Sequence, residues 1–432
     1  MRAVMDGLGV DARGHLTLGG VSVPGLAKEY GTPLYLLDEG SVRNACRAVN
    51  QGLSGYPAPY MAAFASKALC FKALYGVLSE EGMGADVVSG GELLTALRGG
   101  FNPGRIYFHG NNKTEEELRF ALDSKVRQIV VDNAEELALL ARAARDMGVT
   151  QEIAIRVKPG VDAHTHKHVT TGTLDSKFGV SRENGELADI LKLVASHENL
   201  RVVGIHCHIG SQIFEREPYR QAAKVMVKLM DGVRRETGLP LRELNLGGGF
   251  AVNYMPDDRA ESLRGMAAFC AESVLNAAKE LDMPPPELVL EPGRSVTGPA
   301  GMTVYTVGSV KKIPGLNTYV AVDGGMTDNP RYALYGARYM PILPERPEEP
   351  SAGTVIIAGR CCETGDLVTK DAPLPEVQAG DLLAIQATGA FNYSMASHYN
   401  RVPNAPVVMV SNGAHRLVVR RETYEDVMRN DL

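Results

Sequence analysis

The chain has 432 residues, 44% hydrophobic and 22% charged, the composition of an ordinary folded protein with room for a large core. A net charge of −6 argues against nucleic acid or an anionic membrane as the main partner. No apolar run approaches the ~20 residues of a membrane span, and the N-terminal Met-Arg-Ala-Val-Met-Asp lacks the core of a signal peptide. The cysteines (Cys46, Cys70, Cys207, Cys270, Cys361 and Cys362) show no paired spacing for disulfides or zinc, so a reducing cytoplasm is the simplest compartment.

Residues 1–38 are short apolar pieces broken by glycine, such as Leu16-Thr17-Leu18-Gly19-Gly20, and read as strands and turns rather than helix. A helical stretch follows around 41–51. From Tyr60, buried-type strands are expected at 60–65, 85–88, 105–108, 128–131, 152–157, 201–206, 242–246 and 287–290. Helical segments lie between them, and Ser89, Thr114 and Asn133, each with Glu three residues on, look like capping boxes or variants of them. Eight such units predict a (β/α)8 TIM-type barrel, with a doubly wound open sheet as the alternative. Polar residues fall at the strand ends, where barrel chemistry sits: Lys67, Asp86, His109, Asp132, Arg156, His208, Gly247 to Gly249, and Glu291 to Arg294. After Pro299 helical periodicity fades, and short β-rich runs appear at 302–310, 318–322, 354–358, 382–385 and 407–410. The Pro- and Glu-rich 343–353 reads as a loop. The expected division is N-terminal strands (1–38) joining a C-terminal all-β domain (300–432), with the barrel at 39–299.

Several stretches admit a bland and a chemical reading. Lys67, near the end of the first barrel strand, is either a lysine snorkelling to solvent or a Schiff-base lysine. Gly247-Gly248-Gly249 is a tight turn or a backbone cradle for an anion after the seventh strand. Glu291-Pro292-Gly293-Arg294 is a local ion pair, or it sets a carboxylate against a cationic ring nitrogen and a guanidinium against a carboxylate or phosphate. His206 and His208 lie on one face of a strand, but no third ligand follows at helix spacing, so no metal is expected. A ring stacked on a planar cofactor, with Ser211 donating to a phosphate, fits better. Cys361-Cys362-Glu363 holds structural cysteines or a proton donor. The aromatic and polar run 389–400 has the look of a binding loop.

In order, these stretches resemble one family nearly end to end. Phe64-Ala-Ser-Lys67-Ala68, Asp175-Ser-Lys-Phe-Gly179, His208-Ile-Gly-Ser-Gln212, Gly247-Gly-Gly249, Glu291-Pro-Gly-Arg294, residues 329–335, Cys362-Glu363 and Ser394-Met-Ala-Ser-His-Tyr-Asn400 are similar to motifs of the fold-type III pyridoxal-phosphate decarboxylases. The resemblance implies that Lys67 holds pyridoxal 5'-phosphate, that His208 stacks on the ring, and that Glu291 pairs with the pyridine nitrogen. Ser211, Gly248, Gly249, Gly293 and Arg294 would surround the phosphate, with Asp86 and Tyr393 also on the cofactor. Arg294, Arg331, Tyr335, Glu363 and Tyr393 would contact an amino-acid substrate. Cys362 would be the proton donor, reaching with Glu363 into a neighbouring subunit's site, which implies a homodimer. Thr364 stands where the family often has Ser, and Tyr332 where it often has Pro.

Loss of CO2 from an α-amino acid needs an electron sink, and an acidic partner such as Glu291 deepens the one the pyridoxal ring offers. Related racemases carry an arginine there. Arg294 and Arg331 suit a distal carboxylate and Glu363 a distal ammonium. A substrate with both is meso-diaminopimelate, whose product would be L-lysine. The alternatives are a decarboxylase of another basic amino acid, such as ornithine or arginine, and a non-catalytic homologue that binds the cofactor.

Overall fold

Apolar strands of three to seven residues, each followed by a turn and a helix, cannot bury both faces alone, and here they close on one another. In the computed structural model, which describes residues 3–161 and 176–432, eight parallel strands form a closed barrel. They are β1 (Tyr60–Ala65), β2 (Gly84–Val87), β3 (Ile106–Phe108), β4 (Gln128–Val131), β5 (Gln151–Arg156), β6 (Leu200–His206), β7 (Glu243–Asn245) and β8 (Glu287–Leu290). Each pairs with the next, and β8 returns to β1 through Leu288 with Tyr60 and Leu290 with Ala62, which excludes the open sheet. All eight expected barrel strands are present, with ends displaced by no more than one residue. Asp175, at the head of one quoted motif, lies outside the described residues.

The caps behave as their chemistry dictates. Thr114 makes the full reciprocal box with Glu117 ahead of the helix Glu115–Asp123. Ser89 and Asn133 cap by side chain alone, accepting from the amides of Glu92 and Glu136. The Glu92 carboxylate instead accepts from the Val88 amide at 2.8 Å, and Glu136 takes the buried Lys113 ammonium at 2.7 Å. At the end of the barrel where the strands begin, Arg127 donates to Tyr107 and Glu243 at 2.9 and 3.0 Å, a charged plug among otherwise apolar strands.

Residues 46–251 and 261–293 make the barrel unit, and residues 1–45, 252–260 and 294–432 make a second unit, which is β-rich. The centre of the second unit is the long strand Gly301–Lys312. It pairs antiparallel with Leu34–Asp38, with Thr318–Val322 and with Leu382–Ile385. Leu34–Asp38 pairs on its other side with Val407–Ser411, so an N-terminal strand lies inside the C-terminal sheet. Leu34, Leu36, Val304, Tyr305, Leu383 and Val408 belong to its core. The barrel-plus-β-domain class expected from sequence is therefore the one observed.

Two expectations need correction. The N-terminal segment read as strands and turns contains a helix, Val23–Tyr30, capped by Ser22 and opened by Pro24, with Val23, Leu26 and Ala27 buried. Gly25 and the helix's brevity mask its apolar spacing of three and four. The strands Leu367–Leu374 and Ala414–Val419 are additional to those expected; they are the two edges of the main sheet, and Lys370, Asp371, His415 and Arg416 interrupt their apolar pattern. No helix among the described residues is long and apolar enough to cross a membrane.

Candidate active site

β1 ends at Ala65, and a 3-10 turn, Ser66–Ala68, carries Lys67 with its side chain exposed. Ser66 is buried beneath it and accepts from the Tyr75 hydroxyl at 2.8 Å, which anchors the turn. The chain after β8 lies directly against this turn. The Ala65 amide donates to the Pro292 carbonyl at 3.2 Å, and a Cβ on Gly293 would meet Ala65 and Ala68 at 3.0–3.1 Å. Strand ends one and eight are thus knitted together around Lys67, whose charge is felt by Asp86 and His208.

Glu291, at the tip of β8, is 6% exposed and ringed by nitrogen. His109 Nε2, just past β3, lies 2.8 Å from Oε1, Asn245 Nδ2 donates to Oε1 at 2.6 Å, and His206 Nε2 is 3.2 Å from Oε2. Burial pushes the Glu291 carboxyl up, but the two imidazoles outweigh it and hold it well below the usual range. Burial keeps His206 down at about 4, while Asp86 and Glu291 overcome the burial of His109 and raise it. The pattern is a carboxyl held low between an imidazole raised at His109 and one lowered at His206. Asp86 sits 3.9 Å from His109; burial raises it, and its Oδ1 is a buried acceptor without a hydrogen-bond partner among the described residues.

Sequence reasoning found His206 but not what it serves. Its partners come from other strand ends rather than from helix spacing, and Asn245, two residues ahead of the glycine run and unmarked in the sequence, carries a direct bond to Glu291. His109, His206 and Glu291 have ligating atoms within 4.8 Å of one another, the dimensions of a metal site as well as of a proton-sharing relay.

The glycine run makes approaches that no side chain permits. A Cβ on Gly248 would fall 1.9 Å from the Glu291 carbonyl oxygen, and one on Gly249, at φ +96°, 2.2 Å from that of Gly210. The Gly248 amide donates to His208 Nδ1 at 3.3 Å, and burial holds that imidazole well below its ordinary pKa, hence neutral. Ser211 follows on the same loop, half-buried.

The β unit gathers a second cluster. Arg294 and Arg331 are buried, at 8% and 6% exposure, and both donate to the hydroxyl of Tyr254, at 2.6 and 2.9 Å. Arg331 also donates to Tyr339 at 2.7 Å, and its Nε has no hydrogen-bond partner among the described residues. The Arg294 guanidinium lies over the Phe391 ring at 4.6 Å. Tyr254 and Tyr339, which hold these arginines, carry no signal in the sequence that marks them. Tyr393 packs edge-on against Tyr35, and Tyr335 closes the helix Arg331–Tyr335. Cys362 and Glu363 lie exposed on a separate turn, ordered by Asp366, which accepts from the amides of Cys361 and Met326 at 2.6 Å, and by Asn400, which accepts from that of Cys362 at 2.9 Å.

The donor set fits pyridoxal phosphate: an exposed amine, a buried carboxyl held well below its ordinary pKa, an imidazole held below its own, and a glycine backbone closed to any Cβ.

Comparison with known proteins agrees. Residues 39–298 match the family described as pyridoxal-dependent decarboxylase, pyridoxal binding domain. Diaminopimelate decarboxylase of Bacillus subtilis is 46% identical over 419 residues, 97% of this chain and 95% of that protein. The Synechocystis enzyme of the same name is 41% identical over 98% of this chain and 91% of its own length. Among solved structures, diaminopimelate decarboxylase of M. jannaschii in complex with L-lysine superposes with a TM-score of 0.91 at 32% identity, covering 100% of this chain and 98% of that one.

Proposed function

This chain belongs to the pyridoxal-dependent decarboxylase family, and we propose that it converts meso-diaminopimelate to L-lysine and CO2. Lys67 would hold the cofactor covalently, with His208 on the ring and Glu291 at the pyridine nitrogen. Ser211, Gly248, Gly249, Gly293 and Arg294 would take its phosphate, and Asp86 and Tyr393 would complete the contacts. Bound pyridoxal phosphate supplies an electron sink for the pair left behind when CO2 departs.

The protein's own contribution is electrostatic. An ionised carboxylate at Glu291 is the partner that a protonated pyridine nitrogen requires, and His109, His206 and Asn245 keep it ionised inside the barrel. Arg294, Arg331, Tyr335 and Tyr393 bind and orient the substrate, and Glu363 takes the distal ammonium. Cys362 Sγ delivers the closing proton. Cys362 and Glu363, exposed on their turn, would reach into a neighbouring subunit's site, as the family resemblance implies, in a cytoplasmic homodimer.

The observation that carries the substrate reading is Arg331. Burial alone would lower its pKa, but Tyr254 and Tyr339 more than offset this, so it stays a cation whose polar neighbours are phenols. Such a group suits a distal carboxylate, which ornithine and arginine lack. The test is an absorbance spectrum of the purified protein followed by product analysis with meso-diaminopimelate, ornithine, arginine and lysine. Lysine formed from diaminopimelate at a kcat/KM far above the other turnovers supports the reading; faster CO2 release from ornithine or arginine overturns it.

A further inference from the structure

Tyr254 arrives five residues after Gly249 on the segment 252–260, and that segment is built to hold it still. Asp258 Oδ2 accepts from the amides of Tyr254 and Met255 at 2.8 and 2.9 Å, and Asn253 Oδ1 accepts from Ala260 at 2.8 Å. The phenol is buried and stands edge-on to Tyr339, with centroids 5.3 Å apart at 87°. Its oxygen has two lone pairs, and both are directed at cations, Nη1 of Arg294 and Nη1 of Arg331. The same two guanidiniums lie 5.9 and 5.1 Å from its ring centroid. Two buried like charges converging on one neutral oxygen is a costly arrangement unless something uses it.

We propose that Tyr254 is a positioning residue that couples Arg331 to Arg294, fixing Arg331 in the orientation that selects a substrate with a distal carboxylate; the proposal rests on the diaminopimelate reading. Arg331 Nε is buried and without a hydrogen-bond partner among the described residues, while Nη1 is pinned by Tyr254 and Tyr339. With Nη1 fixed, the planar fork has one orientation to offer a carboxylate instead of many. Without the Tyr254 hydroxyl, Arg331 keeps its charge but loses its aim. The phenol itself suits this role. It accepts from both guanidiniums at 2.6 and 2.9 Å from a fixed, buried position.

The test is titration calorimetry of the holoenzyme with pimelate, a seven-carbon dicarboxylate without amines, and with 1,5-diaminopentane, which has no carboxylate. In Tyr254→Phe the Kd for pimelate should rise about tenfold or more, the loss of one charge-assisted hydrogen bond, while that for the diamine moves less than about twofold. KM for meso-diaminopimelate should rise in step, with kcat within about threefold. Asp258→Ala, which loosens the segment without touching the phenol, should shift pimelate affinity the same way by less, and it stands in if Tyr254→Phe does not fold. Unchanged pimelate affinity in a folded variant, or an equal loss for both ligands, overturns the proposal. A wild-type enzyme that forms no lysine from diaminopimelate would instead strike down the substrate reading beneath it.

Discussion

Glu291 in the barrel unit and Arg331 in the β unit are buried to the same degree, each 6% exposed, yet they are satisfied in opposite ways. Glu291 has nitrogen beside both oxygens, His109 Nε2 and the Asn245 amide at Oε1 and His206 Nε2 at Oε2. Arg331 meets only phenols at Nη1, and its Nε meets nothing among the described residues. A buried charge matched internally is a permanent part of the fold, whereas one matched by neutral groups keeps attraction in reserve for a ligand. The barrel thus carries an anion matched from within, and the β unit a cation matched only by hydroxyls; on the proposed function the first serves the cofactor and the second the substrate.

The contrast can be broken at either end. Lys67→Ala should abolish the cofactor's absorbance and lower turnover by on the order of 10^5-fold or more, read by spectrum and lysine assay. Arg331→Ala should cost ~10^4-fold in kcat/KM for diaminopimelate while the spectrum survives; an unchanged kcat/KM would remove the basis for the substrate assignment. Glu291→Gln keeps shape but removes the fixed charge, leaving His109 and His206 without their anion. A kcat loss of about 10^2-fold or more is expected, with a flattened acid limb in the pH profile.

The smallest effect concerns Asp328, on the loop just before Arg331. Burial raises its pKa to about 7 against the opposing hydrogen bonds from Tyr305, Gly325 and Thr327. A carboxyl whose folded pKa lies above its unfolded value stabilises most at low pH, and that contribution is lost as pH rises from about 4 towards 7. Asp328→Asn should therefore raise Tm by about 2–4 °C at pH 8 and bring no gain at pH 4, by scanning calorimetry. Equal shifts at both values would show that the carboxyl does not titrate in this window.

Legibility in the sequence followed the kind of physics involved. The eight barrel strands were readable because each is a short apolar run closed by a capped helix start, all local signals. Lys67, the glycines and Glu291 stand out in the sequence by their places at strand ends, while the roles expected of them and of His208 come from the family resemblance. The helix Val23–Tyr30 and the two edge strands were not, since eight residues with a glycine barely show periodicity and sheet edges carry charge that hides their alternation. Asn245 and Tyr254 were hidden for another reason: nothing about an asparagine before a glycine run, or a tyrosine five residues after it, says what lies opposite.

Sequence alone determined the barrel, the strand ends on which reactive side chains would stand, and the family these stretches resemble, because period, cap and motif are properties of neighbouring residues. Only the tertiary structure decided the charges. Whether a carboxylate is ionised, an imidazole neutral or a guanidinium still open to an anion depends on groups brought from strands 46 to 182 residues away, as His109, His206 and Asn245 are brought to Glu291. Electrostatics acts through space, and the chain by itself does not record distance.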